Sequence, residues 1–176
     1  MPCAYPLDDF YARSGLALPE IESIPETQVP EPYHSLLVHE RDMTSTLEQF
    51  HDDTIHIRAL RSETRGDYYF REVVLLLNRD ETPVEFGAIK INLLLFPGAA
   101  RMLILGEREP LGHVLKEFAL AYTSRPKAFL RLRSDDLINQ ALRLDAPKTL
   151  YGRRNNLLDS HQRPLAEVVE ILPPTQ

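Results

Sequence analysis

Charged side chains stand where strands should be apolar. In the run Tyr68–Leu77, Arg71 shares a face with Tyr69, Val73, Leu75 and Leu77, and Glu72 shares the other with Phe70, Val74 and Leu76. The run 165–172 repeats the pattern: Glu167 lies with Leu165, Val169 and Ile171, and Glu170 with Ala166, Val168 and Leu172. Lys90 falls in a third run, 84–94, on the side of Phe86 and Ala88. A charge taken out of water needs a partner or an ionic ligand. Two readings fit. One is a structural Arg–Glu pair between strands, or an exposed edge face. The other is a pocket in which a guanidinium grips a carboxylate through its rigid fork while a glutamate orients a hydroxyl or moves a proton.

The remaining candidates are weaker. His34/His39 and His51/His56 are each five apart, the wrong spacing for two ligands on one helical face. His51-Asp52-Asp53 suits a hard cation, and a polar turn before a strand explains it equally well. Arg153-Arg154 reads as a phosphate-facing pair or, more simply, as a solvated strand face. Cys3 lies in a tail, a poor place for a nucleophile. No G-x-S-x-G, GxGxxG or P-loop pattern occurs.

These residues need elements to hold them. Met43, Leu47 and Phe50 fall at helical spacing, with Ser45 and Glu48 as a capping box. Alternation over 54–60, aromatic and branched residues over Tyr68–Leu77, and the run 84–94 predict three strands joined by short turns. Such neighbours pair antiparallel. Pro110 opens a predicted helix with Leu111, Val114, Leu115, Phe118 and Tyr122 on one core-facing stripe. A strand over 128–133, a helix over 135–142 capped by Asp135, and a closing hairpin around 159–163 complete an α+β pattern.

Composition narrows the classes. The chain has 176 residues, 43% hydrophobic and 26% charged, enough for one packed domain. Its net charge of -6 argues against a nucleic-acid binder, and one cysteine excludes an internal disulfide or CxxC site. No apolar run is long enough to span a membrane, and residues 1–32 lack the layout of a signal peptide. Six of the 14 prolines fall in 1–32, which reads as an extended or partly disordered arm beside a domain over 33–176. The expectation is a cytoplasmic monomer with no nucleic-acid or membrane partner.

Four segments in order resemble the chorismate lyase family. They are Leu36-Leu37-Val38 with Asp42-Met43-Thr44 and Leu47-Glu48-Gln49; Tyr69-Phe70-Arg71-Glu72-Val73-Val74-Leu75; Glu109-Pro110-Leu111-Gly112; and Tyr151-Gly152-Arg153-Arg154 with Arg163-Pro164-Leu165 and Glu170. The resemblance implies a single, mostly antiparallel sheet with helices packed over it, enclosing an occluded site. It implies a cofactor-free and metal-free lyase that releases pyruvate from chorismate to leave 4-hydroxybenzoate. Arg71 would be a principal ligand-binding residue, and Glu170 would face the oxygen at ring position 4. Backbone amides at Met43 and Leu111, with Gly112 at the same helix start, would hold the ligand under helical flaps.

There are departures. Ala88 follows Gly87 where ubiquinone-pathway members carry arginine, so the chain is more similar to a divergent branch that also lacks it. One extra residue separates Pro164 from Glu170 relative to the ubiquinone-pathway form, which keeps Glu167 as a rival. Segment 128–146 looks rebuilt and would reshape the pocket mouth. The competing reading is a small-molecule binding module for a benzoate-type acid, because the same fold serves as the sensing domain of some bacterial transcription regulators. Those carry a DNA-binding domain, for which this chain shows no basic winged-helix segment. A related enzyme on another cyclohexadiene or aromatic acid is a third reading.

Overall fold

Alternating apolar side chains and short turns build one antiparallel sheet, seen in a computed structural model that describes residues 3–175. Its strands are β1 (Ile21–Ile24), β2 (Ile55–Arg65), β3 (Tyr68–Leu77), β4 (Pro83–Asn92), β5 (Thr123–Arg133), β6 (Thr149–Leu158) and β7 (Pro164–Leu172). They lie in the order β1-β5-β6-β7-β4-β3-β2, and every pairing is antiparallel. The helices are α1 (Leu7–Arg13), α2 (Tyr33–Leu37), α3 (Met43–His51), α4 (Gly98–Leu105), α5 (Leu111–Glu117) and α6 (Asp136–Leu142). The α+β class expected from the sequence is the observed one. No described helix is long and apolar enough to cross a membrane.

Helices cover both faces of the sheet. On one face, α1 and α6 pack Leu7, Phe10, Tyr11, Ile138 and Leu142 against Val74, Phe86, Ala88 and Val169. The other face carries two separate apolar clusters. Leu36, Met43 and Leu47 of α2 and α3 pack on Ile57, Val73 and Leu75, while Ile104, Leu111 and Leu115 of α4 and α5 pack on Tyr69, Ile89 and Val168. With both faces covered, nine of the ten residues of β3 are buried, only Tyr68 being exposed. That is why each charge on β3 had to find its own solution.

Several local expectations are corrected. The α3 cap is Asp42, whose carboxylate accepts from Ser45 N at 2.8 Å, one turn ahead of the predicted box. Glu48 instead accepts from Ile55 N at 3.0 Å and ties the helix to β2. The stripe from Leu111 to Tyr122 is helical only to Glu117, because Ala119 takes a left-handed φ of 48° and turns the chain. Phe118, Leu120 and Tyr122 still pack on the α4–α5 cluster from outside the helix. Helix α4 was not anticipated. The rebuilt segment 128–146 does not border the pocket: α6 sits on the opposite face, against Phe86 and Ala88.

The first 32 residues also differ from an extended arm. Their α1 is buried through Leu7, Phe10 and Tyr11, and β1 adds an edge strand to β5. Tyr11 Oη donates to Asp135 Oδ2 at 2.8 Å, joining α1 to the α6 cap. Leu7 is fully buried, so Leu7→Ala is expected to lower unfolding stability by about 2–5 kcal/mol in a urea titration. A loss below about 0.5 kcal/mol, the size of an ordinary surface change, would mean that α1 is not part of the core.

Candidate functional site

The pleat decides which side chains meet. Across β3 and β4, Arg71 pairs with Ile89, Val73 with Gly87, and Leu75 with Glu85. Across β4 and β7, Gly87 pairs with Glu170 and Ile89 with Val168. Across β7 and β6, Glu170 pairs with Arg153 and Val168 with Asn155. Period-two alternation puts all of these on one face. That face floors a cavity lying between the two apolar clusters. Asp42, Met43 and Thr44 line it from the α3 start, and Pro110, Leu111 and Gly112 from the α5 start. The five residues singled out from the sequence, Arg71, Glu170, Met43, Leu111 and Gly112, therefore border one cavity.

Arg71 is 2% exposed and forms no salt bridge among the described residues. Its Nη1 donates to Ile104 O at 3.1 Å and its Nη2 to Glu109 O at 3.2 Å. These bonds pin the end of α4 and the approach to α5 over the cavity. Nε has no partner. Burial disfavours the charge and pulls the pKa down, while Tyr69 and Glu107 partly offset it. Arginine nonetheless stays protonated, so a buried cation borders the cavity without a carboxylate of its own.

Glu170 is held differently. Arg153 Nε donates to Glu170 Oε2 at 2.5 Å. The rest of that guanidinium donates to Leu37 O (3.2 Å), His39 O (2.9 Å) and Arg41 O (3.0 Å). Arg153 is 0% exposed, which corrects the solvated-face reading. It was missed because its own strand shows only two adjacent arginines; counting outward from Leu158 and Pro164 sets it opposite Val169, and only the register shift next to the turn brings it opposite Glu170. Glu85 was also missed. It is 4% exposed, lines the cavity, and its Oε2 has no partner. Burial, then the neighbouring Glu170 carboxylate, pushes its pKa well above the usual value of 4.5 and favours the neutral acid.

The roof closes where two helix starts touch. A Cβ on Gly112 would lie 2.7 Å from Asp42 Oδ1 and 2.8 Å from Thr44, so only glycine allows this approach. Tyr122 Oη donates to Asp42 Oδ2 at 3.1 Å. His113 of α5 stands 2.7 Å from Glu48 of α3 and 3.0 Å from Glu109. Burial opposes its charge, but the two carboxylates outweigh that and raise its pKa.

The other charges lie elsewhere. Glu167 projects from the opposite face and meets Lys90 at 3.2 Å. Glu72 is paired by Arg61, at 3.0 and 2.8 Å. Asp52 and Asp53 form the turn after α3, the first with left-handed backbone and the second accepting from Thr54 N and Arg79 N. Among the described residues, no group of three His, Cys, Asp or Glu side chains is placed to hold a metal.

No protein-family model matches the chain, and no curated protein does. Solved structures do. PhnF from Mycobacterium smegmatis superposes with a TM-score of 0.57 at 12% identity, over 94% of this chain and 92% of that one. The ligand-binding domain assigned to a GntR-family transcriptional regulator from Bordetella bronchiseptica gives 0.53 at 14% identity, over 69% and 87%. The Staphylococcus aureus gene product SA0254 gives 0.54 at 7%, over 68% and 82%. Identities this low speak for the fold, which is the chorismate lyase-like α+β arrangement.

Glu85 yields a stability prediction. An unpaired buried carboxyl is destabilising, and Glu85→Leu removes it, by about 1–3 kcal/mol. The melting temperature is then expected to rise by roughly 2–12 °C. A raised folded pKa means that wild-type stability falls as pH climbs through the window above 4.5. The gap between Glu85→Leu and wild type should therefore widen with pH in scanning calorimetry. A variant that melts lower at every pH would refute the neutral, unpartnered carboxyl.

Proposed function

We propose that this chain binds a small ring carboxylate in the cavity, with the carboxylate against Arg71. The observation that carries this is the Arg71 guanidinium: buried, bordering the cavity, unsatisfied at Nε and lacking a carboxylate partner among the described residues. An anionic ligand is the partner that offsets such a charge, and arginine's fork suits a carboxylate. The apolar walls of Ile57, Val73, Leu75, Leu157 and Val168 suit a ring rather than a sugar or a nucleotide. The likeness to a ligand-binding regulator domain supports binding without specifying the ligand.

Turnover is the second reading: a cofactor-free chorismate pyruvate-lyase. It is favoured by the convergence, in one cavity, of Arg71, Glu170 and the residues at 43, 111 and 112, the positions to which the family resemblance attaches ligand contacts. In this reading Arg71 holds the ring carboxylate. Glu170, held in place by Arg153, orients the ring hydroxyl, and the closed roof excludes water. Ring aromatisation drives release of the enolpyruvyl arm as pyruvate.

One set of measurements separates the readings. Purified protein is titrated calorimetrically with 4-hydroxybenzoate, then incubated with chorismate while pyruvate and 4-hydroxybenzoate are followed. Binding by wild type is expected to weaken about 10–100-fold in Arg71→Ala, with Arg71→Lys between the two. Equimolar release of both products supports the lyase, with Glu170→Gln strongly slowed and Glu167→Gln near wild type. Binding without release leaves the binding module and removes the enzyme. No binding of either compound by folded protein overturns the proposal.

A further inference from the structure

Arg71 accounts for one end of the cavity, and the other end carries Glu85. Glu85 lies four residues along β4 from Ile89, the residue paired with Arg71. At strand spacing that separates the two ends by about 13 Å of backbone. Both residues line the cavity, one toward each end of its floor. Between them the floor is Gly87, where a Cβ would lie 3.0 Å from Glu85 Oε1. The missing side chain makes room for the Glu85 carboxyl, which leans over Gly87 toward the middle of the floor.

The surroundings of Glu85 restrict what can meet it. Glu170 faces it from β7, and behind Glu170 stands Arg153 of β6, already committed to Glu170 and to three main-chain carbonyls. Asp42 borders the same cavity from the roof. Ile57, Val73 and Leu75 are apolar. Glu85 lines the cavity, and its Oε2 is buried without a partner. Its burial and the Glu170 charge favour the neutral, hydrogen-donating form. No motif of the family resemblance includes Glu85.

We propose that Glu85 is a specificity-determining residue that donates, at the end of the ring opposite Arg71, to an uncharged oxygen and turns away a second carboxylate. The inference rests on the ring-carboxylate reading and deepens it: the ligand class becomes a hydroxylated ring monocarboxylate rather than a para-dicarboxylate. A hydroxyl there can accept from Glu85 and donate to Glu170. A second carboxylate would bring a negative charge beside Glu170 in a poorly solvated space.

The test is calorimetric titration of the full chain with benzoate, 4-hydroxybenzoate and benzene-1,4-dicarboxylate. Wild type is expected to prefer 4-hydroxybenzoate over benzoate by roughly tenfold or more, with the dicarboxylate weakest. In Glu85→Leu the ratio of the first two affinities should fall to within about twofold of unity, whereas Glu85→Gln, which keeps a donor, should retain most of it. Infrared difference spectra should show 4-hydroxybenzoate shifting the carbonyl band of a neutral carboxyl, a band absent from Glu85→Gln. An unchanged ratio in both variants, or a dicarboxylate that binds wild type more tightly than benzoate, overturns the role of Glu85 while the ring-carboxylate reading stands. If none of the three binds wild type, that reading falls and this inference falls with it.

Discussion

Arg153 and Glu170 form the contact on which the arrangement of the site depends. Both are buried, and their ion pair closes at 2.5 Å. An isolated carboxylate at that depth would take up a proton or draw in the nearest cation. The nearest structural cation is already supplied, so Glu170 does not need Arg71. Arg71 is left with two main-chain carbonyls, Tyr69 and the more distant Glu107, and forms no salt bridge among the described residues. Burial, and after it the neighbouring Glu170 carboxylate, raises the pKa of Glu85. Four buried charged or titratable groups thus divide into an internal ion pair, a cation with no salt bridge among the described residues, and a carboxyl for which burial favours the neutral form.

The fork of Arg153 also carries mechanical consequences. Its donors to Leu37, His39 and Arg41 hold the chain between α2 and α3 against the sheet. That chain leads directly to Asp42 and the α3 start, half of the cavity roof. The other half, α4 to α5, is held by Arg71. Removing one partner from such a buried set exposes the remaining charge to a desolvation cost of several kcal/mol. Roof and floor are therefore coupled through two guanidinium groups rather than through apolar packing alone. Two glycines make the close approaches feasible: Gly112 where the helix starts touch, and Gly152, where a Cβ would lie 2.3 Å from Glu170 O.

Much of this was legible in the residues. Strands with period-two patterning and short polar turns imposed antiparallel pairing, and charges within those strands drew attention to Arg71 and Glu170. Other parts were illegible for definite reasons. Glu85 and Arg153 look, within their own strands, like ordinary charges on a polar face; only the partner strands and covering helices show that they are buried. The α1 helix hides among prolines because its stability comes from packing Leu7, Phe10 and Tyr11 onto the sheet, not from local propensity. The α5 helix ends early because the chain must turn at Ala119 to enter β5, a demand set by topology and not by the apolar stripe.

By itself, the sequence determined the α+β class, the antiparallel strands and the faces on which charges enter the sheet, because these follow from side-chain period and turn chemistry, which are local. The tertiary structure decided which charge meets which. Glu167 and Glu170 have equal standing along the chain, yet one turns to Lys90 on the far face and the other to Arg153 beside the cavity. Strand order and register make that choice. They are set by the collective burial of two sheet faces, and a shift of one residue would exchange the two glutamates.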